Sequence, residues 1–495
     1  MPVSDSTSVA PTPNAKQRKA AAALLRSLTP AAAELGELFA RAGYELALVG
    51  GPVRDAFLGN RAGDLDLTTD AVPDKVLAIT KRWADNTWTV GIAFGTVGLR
   101  KGDAIFEITT YRSESYGPRS RKPDVKYGTS LEEDLLRRDF TINAMAARLP
   151  SYELVDPFGG LAALREKVIR TPGRPEDSFS DDPLRILRAA RFAARLDFTV
   201  ADEVLAAMQA MAPRLSIVSA ERITEELTKL MLTGNPGYGI DLLVRTSVAG
   251  QVLPELPALR MEVDEHHHHK DVYDHSLTVL RQAIDLEPRY GLSGDLVLRL
   301  AAILHDIGKP KTRKLMPDGK VAFHHHELAG AKMARKRLTE LRFGKEVVND
   351  VSRLVELHLR FHGYGDGEWT DSAVRRYVRD AGPLLTRLHA LTRADCTTRN
   401  PRKAARLAAS YDALEARIEV LREQEELDKI RPELDGTEIM RILGLKPGPL
   451  VGKAWNHLLE LRLTEGVVGR ERATAELLRW AEAEGISPPG ASAGS

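Results

Sequence analysis

Hydrophobic and polar positions change period once along the chain. Between Leu35 and Leu149, after an initial helical stretch, apolar residues fall in short runs and alternations: YELALVGG at 44–51, DLDLTT at 64–69 and AIFEITTY at 104–111. That mixture predicts an α/β or α+β head. From Pro183 onward strands become scarce. Apolar residues then recur three and four apart in LRILRAARFAARL, RITEELTKLML and LVLRLAAILHDIG, which predicts mostly helices. Breaks fall near 172–177, 253–269 and 400. The expected divisions are a disordered tail at 1–25, a head at 26–172, a helical neck at 173–260, a helical domain at 261–400 and a helical C-terminal region at 401–495.

Composition sharpens this picture only in places. The 495 residues suit several domains. Lys and Arg total 70 against 69 Asp and Glu, so affinity for polyanions must come from local patches. No apolar run reaches the ~18 residues of a membrane-spanning helix. A single cysteine, Cys396, and no basic-then-apolar leader point to a soluble protein of the reducing cytoplasm. At 6% aromatic the chain does not read as a barrel or sandwich.

Two constellations carry chemistry. In the first, the strand ending at Val49 runs into Gly50, Gly51 and Pro52, which presents free backbone N–H groups at a helix start. The same pattern also fits a plain tight turn. Downstream, Asp64 and Asp66 alternate with Leu65 and Leu67, so both carboxylates share one strand face. Two such carboxylates repel unless a divalent cation lies between them, and Mg²⁺ takes carboxylates together with substrate phosphates. Glu107 is placed on a neighbouring strand as a third acid.

The segments GGPVRD, GDLDLTTDA, EITTYR, RRDFTINAMA, DPFGG and DDPLRILRAARF occur in the order seen in class II tRNA nucleotidyltransferases and the related bacterial poly(A) polymerases. Over about residues 35–260 the chain resembles that family. The resemblance implies an α+β N-terminal nucleotidyltransferase head, a polymerase-β-like mixed sheet with helices, followed by mostly α-helical domains. It implies catalytic Asp64, Asp66 and Glu107 with Mg²⁺, a triphosphate held by Gly50, Gly51 and Arg54, nucleotide contact by Arg138, and a ribose-reading Asp139. Asp182 and Arg185, spaced i and i+3 and expected on one helical face, match the family's base-reading pair. Asp181 stands where the family usually has Glu.

Cytosine and adenine each offer an amino donor beside a ring-nitrogen acceptor, whereas uracil and guanine offer the reverse. One Asp and one Arg therefore accept C and A, and mismatching them costs enough for roughly 10⁴-fold rejection. Arg188, Arg191 and Arg195 form either a solvated helix face or a stripe for tRNA phosphates, with Arg188 also counted among the nucleotide contacts. Between the carboxylate pair and the third acid, TKRWADNTWTVGIAFGTVGLR has no RRF segment of the poly(A) type. CCA addition from CTP and ATP onto tRNA is favoured, with poly(A) synthesis as the alternative. Near the C-terminus, Gly448 and Pro449 open a helix suited to an RNA phosphate, in a block resembling the tail of CCA-adding enzymes.

The second constellation is histidine-rich. Seven of 13 histidines lie in the runs 266–269 and 324–326. His275, the pair His305 and Asp306, His326 with Glu327, His358 and Asp395 carry imidazole and carboxylate groups suited to a first-row divalent metal. Over about 270–400 the order resembles an HD-superfamily domain, which implies His275, His305, Asp306 and Asp395 as ligands of Mn, Ni, Co or Fe, with Lys309 also matching. Its role is either phosphoester hydrolysis or a metal-binding scaffold.

Overall fold

The computed structural model describes residues 15–28, 30–60, 65–115, 124–127, 130–260, 272–318, 321–361, 370–398, 400–425 and 430–486. The chain forms two compact units, Met1–Pro257 and Ala258–Ser495.

The first unit opens with α1 (Ala15–Leu28) and α2 (Pro30–Arg41). The tail expected over 1–25 is therefore helical from Ala15 onward, a correction, while 1–14 lie outside the described residues. The physical reason is the alanine-rich AKQRKAAAALLRSL, whose helix propensity is high. It buries Leu25 and donates from Arg26 to the Ser151 carbonyl oxygen. A composition scan averages such anchors away.

The strands are β1 (Leu46–Val49), β2 (Leu65–Thr69), β3 (Asn86–Trp88), β4 (Thr96–Lys101), β5 (Ala104–Thr110), the hairpin β6 (Arg112–Ser115) and β7 (Asp124–Tyr127), then β8 (Ala146–Arg148) and β9 (Glu153–Val155). Seven of them make one mixed sheet in the order β3, β4, β5, β2, β1, β8, β9. Only β2 and β5 pair in parallel within it; every other neighbour is antiparallel. The all-apolar β1 is buried throughout, as a central strand must be, while β2 buries Leu65 and Leu67 and leaves Asp66 partly exposed.

Helices α3 (Gly51–Phe57), α4 (Pro73–Thr80), α5 (Leu131–Leu136) and α6 (Gly160–Glu166) belong to the head. The neck adds α7 (Pro175–Asp181), α8 (Arg185–Leu196), α9 (Asp202–Met211) and α10 (Ala220–Met231). Apolar positions three and four apart in α8 bury Ile186, Leu187, Ala190 and Ala194. Arg185, Arg188 and Arg195 meet head residues, and Arg191 turns to Glu226 of α10.

Among its described residues the second unit is helical apart from a small hairpin, Arg313–Leu315 with Val321–Phe323, which leads straight into the helix His326–Glu340. Its other main helices include Val272–Leu286, Leu296–Leu304, Lys345–Leu357, Leu385–Ala394 and Pro401–Glu425. Three final helices, Gly436–Leu443, Pro449–Glu465 and Arg470–Ala483, close on a core of Ile439, Leu443, Leu458 and Leu477. Among the described residues no helix is long and apolar enough to cross a membrane.

Candidate active sites

In the head, the parallel pairing of β2 with β5 sets Asp66 directly opposite Glu107. Asp66 is half-buried and Glu107 exposed, so two carboxylates stand side by side at an accessible sheet face. Asp64 lies outside the described residues. The pair fits a hard divalent cation such as Mg²⁺, which is held by one or two carboxylates and keeps open positions for phosphates.

The glycine turn follows β1. Gly50 has φ of 72°, a left-handed conformation that favours glycine, and a Cβ added there would come within 3.0 Å of Arg138 Nη1. The Arg138 guanidinium thus lies against the turn, with Nη2 on Asp134 at 3.2 Å and a buried Nε that has no partner. Arg54 departs from its expected role. Its side chain is buried, donating from Nε to Asp55 Oδ1 at 2.8 Å and from Nη1 to Asn143 Oδ1 at 2.6 Å. A buried guanidinium must be paired, so Arg54 braces the turn and is not a free phosphate hand.

Asn143 uses both ends of its amide. Its Nδ2 donates to Asp139 Oδ1 at 2.9 Å, which joins Arg54 to Asp139. Asp139 is buried and also accepts from Arg188 Nε at 2.9 Å. Burial alone would raise its pKa, but the Arg188 guanidinium, the Asn143 amide and Arg185 bring it down to about 2. Arg191 is another correction: it is not on a solvated stripe but buried, with Nε donating to the buried Glu226 at 2.6 Å and its guanidinium over the Phe192 ring. The alanines and Phe192 that line α8 draw it inward. Arg195 is half exposed, 3.9 Å from Asp55.

Asp182 and Arg185 do not share a helical face. Asp182 ends α7 in an extended conformation, φ −139° and ψ 100°, and α8 begins only at Arg185. Pro183 is the cause, because the residue before proline is pushed out of the helical region. The two side chains still belong to one junction. Asp182 accepts from Leu184 N at 3.1 Å and from Arg222 Nη2 at 3.0 Å. Arg185 donates from Nη1 to Ser178 Oγ at 2.8 Å and from Nη2 to the Arg137 carbonyl oxygen. Each keeps hydrogen-bonding capacity for a further partner.

The second unit brings six of its candidate metal-binding groups together. His275, His305 and Asp395 offer donor atoms within 4.8 Å of one another, and so do Asp306, His326 and His358. The two sets touch: His305 Nε2 lies 3.2 Å from Asp306 Oδ2, and His326 Nε2 lies 3.2 Å from Asp306 Oδ1. His305, His326 and His358 each use Nδ1 on a backbone oxygen, that of Ala302, Phe323 or Val355, which aims Nε2 inward. The Nε2 atom of His358 is buried without a hydrogen-bond partner. Burial pushes the His358 ring down to about 4, leaving a neutral donor, whereas His305 is raised to about 10 because Asp306 and Asp395 outweigh burial. The carboxylates thus call for positive charge between them. The donor set fits a transition metal, and it adds His326 and His358 to the four ligands that the HD resemblance implies. His266–His269 lie outside the described residues.

The sequence patterns missed Asn143, Glu226 and Arg222, while His326 and His358 were among the candidate metal-binding groups but outside the four ligands that the HD resemblance implies. The last two had a signal in spacing and type. The first three had none, since Arg54, Arg191 and Asp182, which they hold, lie 35 or more residues away from them.

A mixed sheet with paired carboxylates beside a glycine turn, followed by a helical neck, defines a nucleotidyl-transferring head; the histidine cluster defines an HD-type unit. Residues 46–170 match the poly A polymerase head domain, 197–259 the probable RNA- and SrmB-binding site of polymerase A, and 272–400 the HD domain. The A-adding tRNA nucleotidyltransferase of Deinococcus radiodurans is 33% identical over 452 residues, 88% of this chain and 95% of the relative. The CC-adding tRNA nucleotidyltransferase of Thermus thermophilus is 35% identical over 449 residues, 87% of this chain and 93% of the relative. A solved Bacillus stearothermophilus CCA-adding enzyme in complex with CTP shares the fold, with a TM-score of 0.65 at 24% identity over 92% of this chain and 98% of that one. The chain belongs to the tRNA nucleotidyltransferase family.

Proposed function

We propose that the protein adds C, C and A to the 3′ end of tRNA from CTP and ATP, without a nucleic-acid template. The observation that carries this reading is the in-register pair Asp66 and Glu107 beside the Gly50 turn, with Asp182 and Arg185 at the neck junction. Asp66 and Glu107, with Asp64, would hold Mg²⁺, which when bound neutralises charge on the triphosphate. Gly50, Gly51 and Arg138 receive the phosphates, Asp139 meets the ribose, and Asp182 with Arg185 reads the base. Arg195 and Gly448, the latter opening the helix Pro449–Glu465, offer contacts to tRNA phosphates. A lone cysteine suits a reducing cytoplasm.

Full-length relatives include both an A-adding and a CC-adding enzyme, so the product must be read directly. Purified protein with Mg²⁺, CTP and ATP is expected to extend tRNA lacking its 3′ end by three nucleotides. Stopping after two C, adding a single A only to tRNA ending in CC, or growing long A tails would each reassign the product.

The six-member cluster favours a second activity in the same chain, metal-dependent phosphoester hydrolysis. Protein purified without chelator is expected to retain a transition metal and to hydrolyse phosphoesters with added Mn²⁺, Ni²⁺ or Co²⁺. Traces of metal with no hydrolysis would leave the unit a scaffold.

A further inference from the structure

We propose that Arg222 is a positioning residue for base selection, holding the Asp182 carboxylate in the orientation that accepts from the amino group of cytosine or adenine. This deepens, and rests on, the base-reading role of Asp182 given above. Because Pro183 takes Asp182 out of the helix, no regular helical geometry aims its side chain. Two donors do so. The Leu184 N–H reaches Oδ1 at 3.1 Å, and the Arg222 guanidinium reaches Oδ2 at 3.0 Å from forty residues away. Each oxygen then has one donor from the protein and a lone pair left for a ligand. Without Arg222, the terminal carboxylate torsion, which is intrinsically broad, loses one of its two restraints.

Arg222 stands in the first turn of α10, one turn before Glu226 on the same face. Glu226 holds Arg191 at 2.6 Å and lies 3.8 Å from Arg188, the residue that pairs with Asp139. One face of α10 thereby braces the base reader directly and reaches the sugar-side carboxylate through Arg188. The Arg222 to Asp182 pair is poorly placed to act for stability alone: the side chains are 53% and 24% exposed, and pairs of this kind contribute little to folding. What it does fix is direction.

The test compares kcat/KM for CTP and UTP on tRNA lacking its 3′ end, in wild type, Arg222→Ala, Arg222→Lys and Asp182→Ala, with thermal melting recorded for each. Arg222→Ala is expected to melt like wild type while its CTP to UTP ratio falls about tenfold, the scale of one oriented hydrogen bond. Arg222→Lys, which keeps a charge and a donor, is expected to restore most of the ratio. If Asp182→Ala lowers the ratio and Arg222→Ala does not, or if Arg222→Ala lowers both values equally, the positioning role is wrong and the base-reading role stands. If Asp182→Ala also leaves the ratio unchanged, the base-reading role falls and takes this one with it.

Discussion

Asp139 stays ionised in a buried place because three neighbours donate to it: Arg188, the Asn143 amide and the Phe140 N–H. Its pKa is about 2 in the fold against an ordinary 3.8. A carboxyl lowered in this way stabilises the fold fully above the unfolded value and loses that contribution as pH falls through the folded one. The contribution is roughly 2 kcal/mol. Urea unfolding of wild type and Asp139→Asn is therefore expected to differ by about that amount at pH 7, with the gap narrowing between pH 4 and pH 2. A gap that stays constant across that window would remove the ionic part of the account. On the proposed ribose-reading role of Asp139, the same variant is expected to accept dNTPs more readily, and unchanged discrimination between NTP and dNTP would remove that role. Asp139 could be named from its motif, but Asn143, which ties it to Arg54, could not. Nothing in a linear pattern reports which end of an amide meets which partner.

At the scale of elements, the β1 to α3 turn depends on one backbone angle. Gly50→Ala puts a Cβ at φ 72° and within 3.0 Å of Arg138. A left-handed alanine costs about 1–2 kcal/mol, and the guanidinium must give way. The variant is expected to unfold at lower denaturant and to show a raised KM for nucleotides. A normal KM would mean that Arg138 does not contact the triphosphate. Elements were legible where the period was long and clear, as in the strand ending at Val49 and the amphipathic helices of the neck. They were less legible where a local rule overrode the pattern. Pro183 splits what looked like one helix carrying Asp182 and Arg185, and an alanine-rich stretch read as tail becomes α1. In the histidine unit, four ligands followed from their order in the chain; His326 and His358 were legible as candidates by type and spacing, and the backbone carbonyls of Phe323 and Val355 that turn their rings inward were not.

At the scale of the whole molecule, near-zero net charge hides two charged clusters, the Asp66 and Glu107 pair in one compact unit and the histidine and carboxylate cluster in the other. Composition cannot register this, because acids and bases are spent locally: Arg54 on Asp55, Arg191 on Glu226, Lys309 on Asp306. Loss of the histidine ligands is accordingly not expected to remove nucleotide addition.

The lone parallel contact in the sheet has a consequence for synthesis. A growing chain makes Asp66 long before Glu107, and the antiparallel β3 and β4 must be laid down before the second acid can slot beside the first. Truncated copies released before β5 cannot assemble the pair, so fragments that end there carry only half of this carboxylate site.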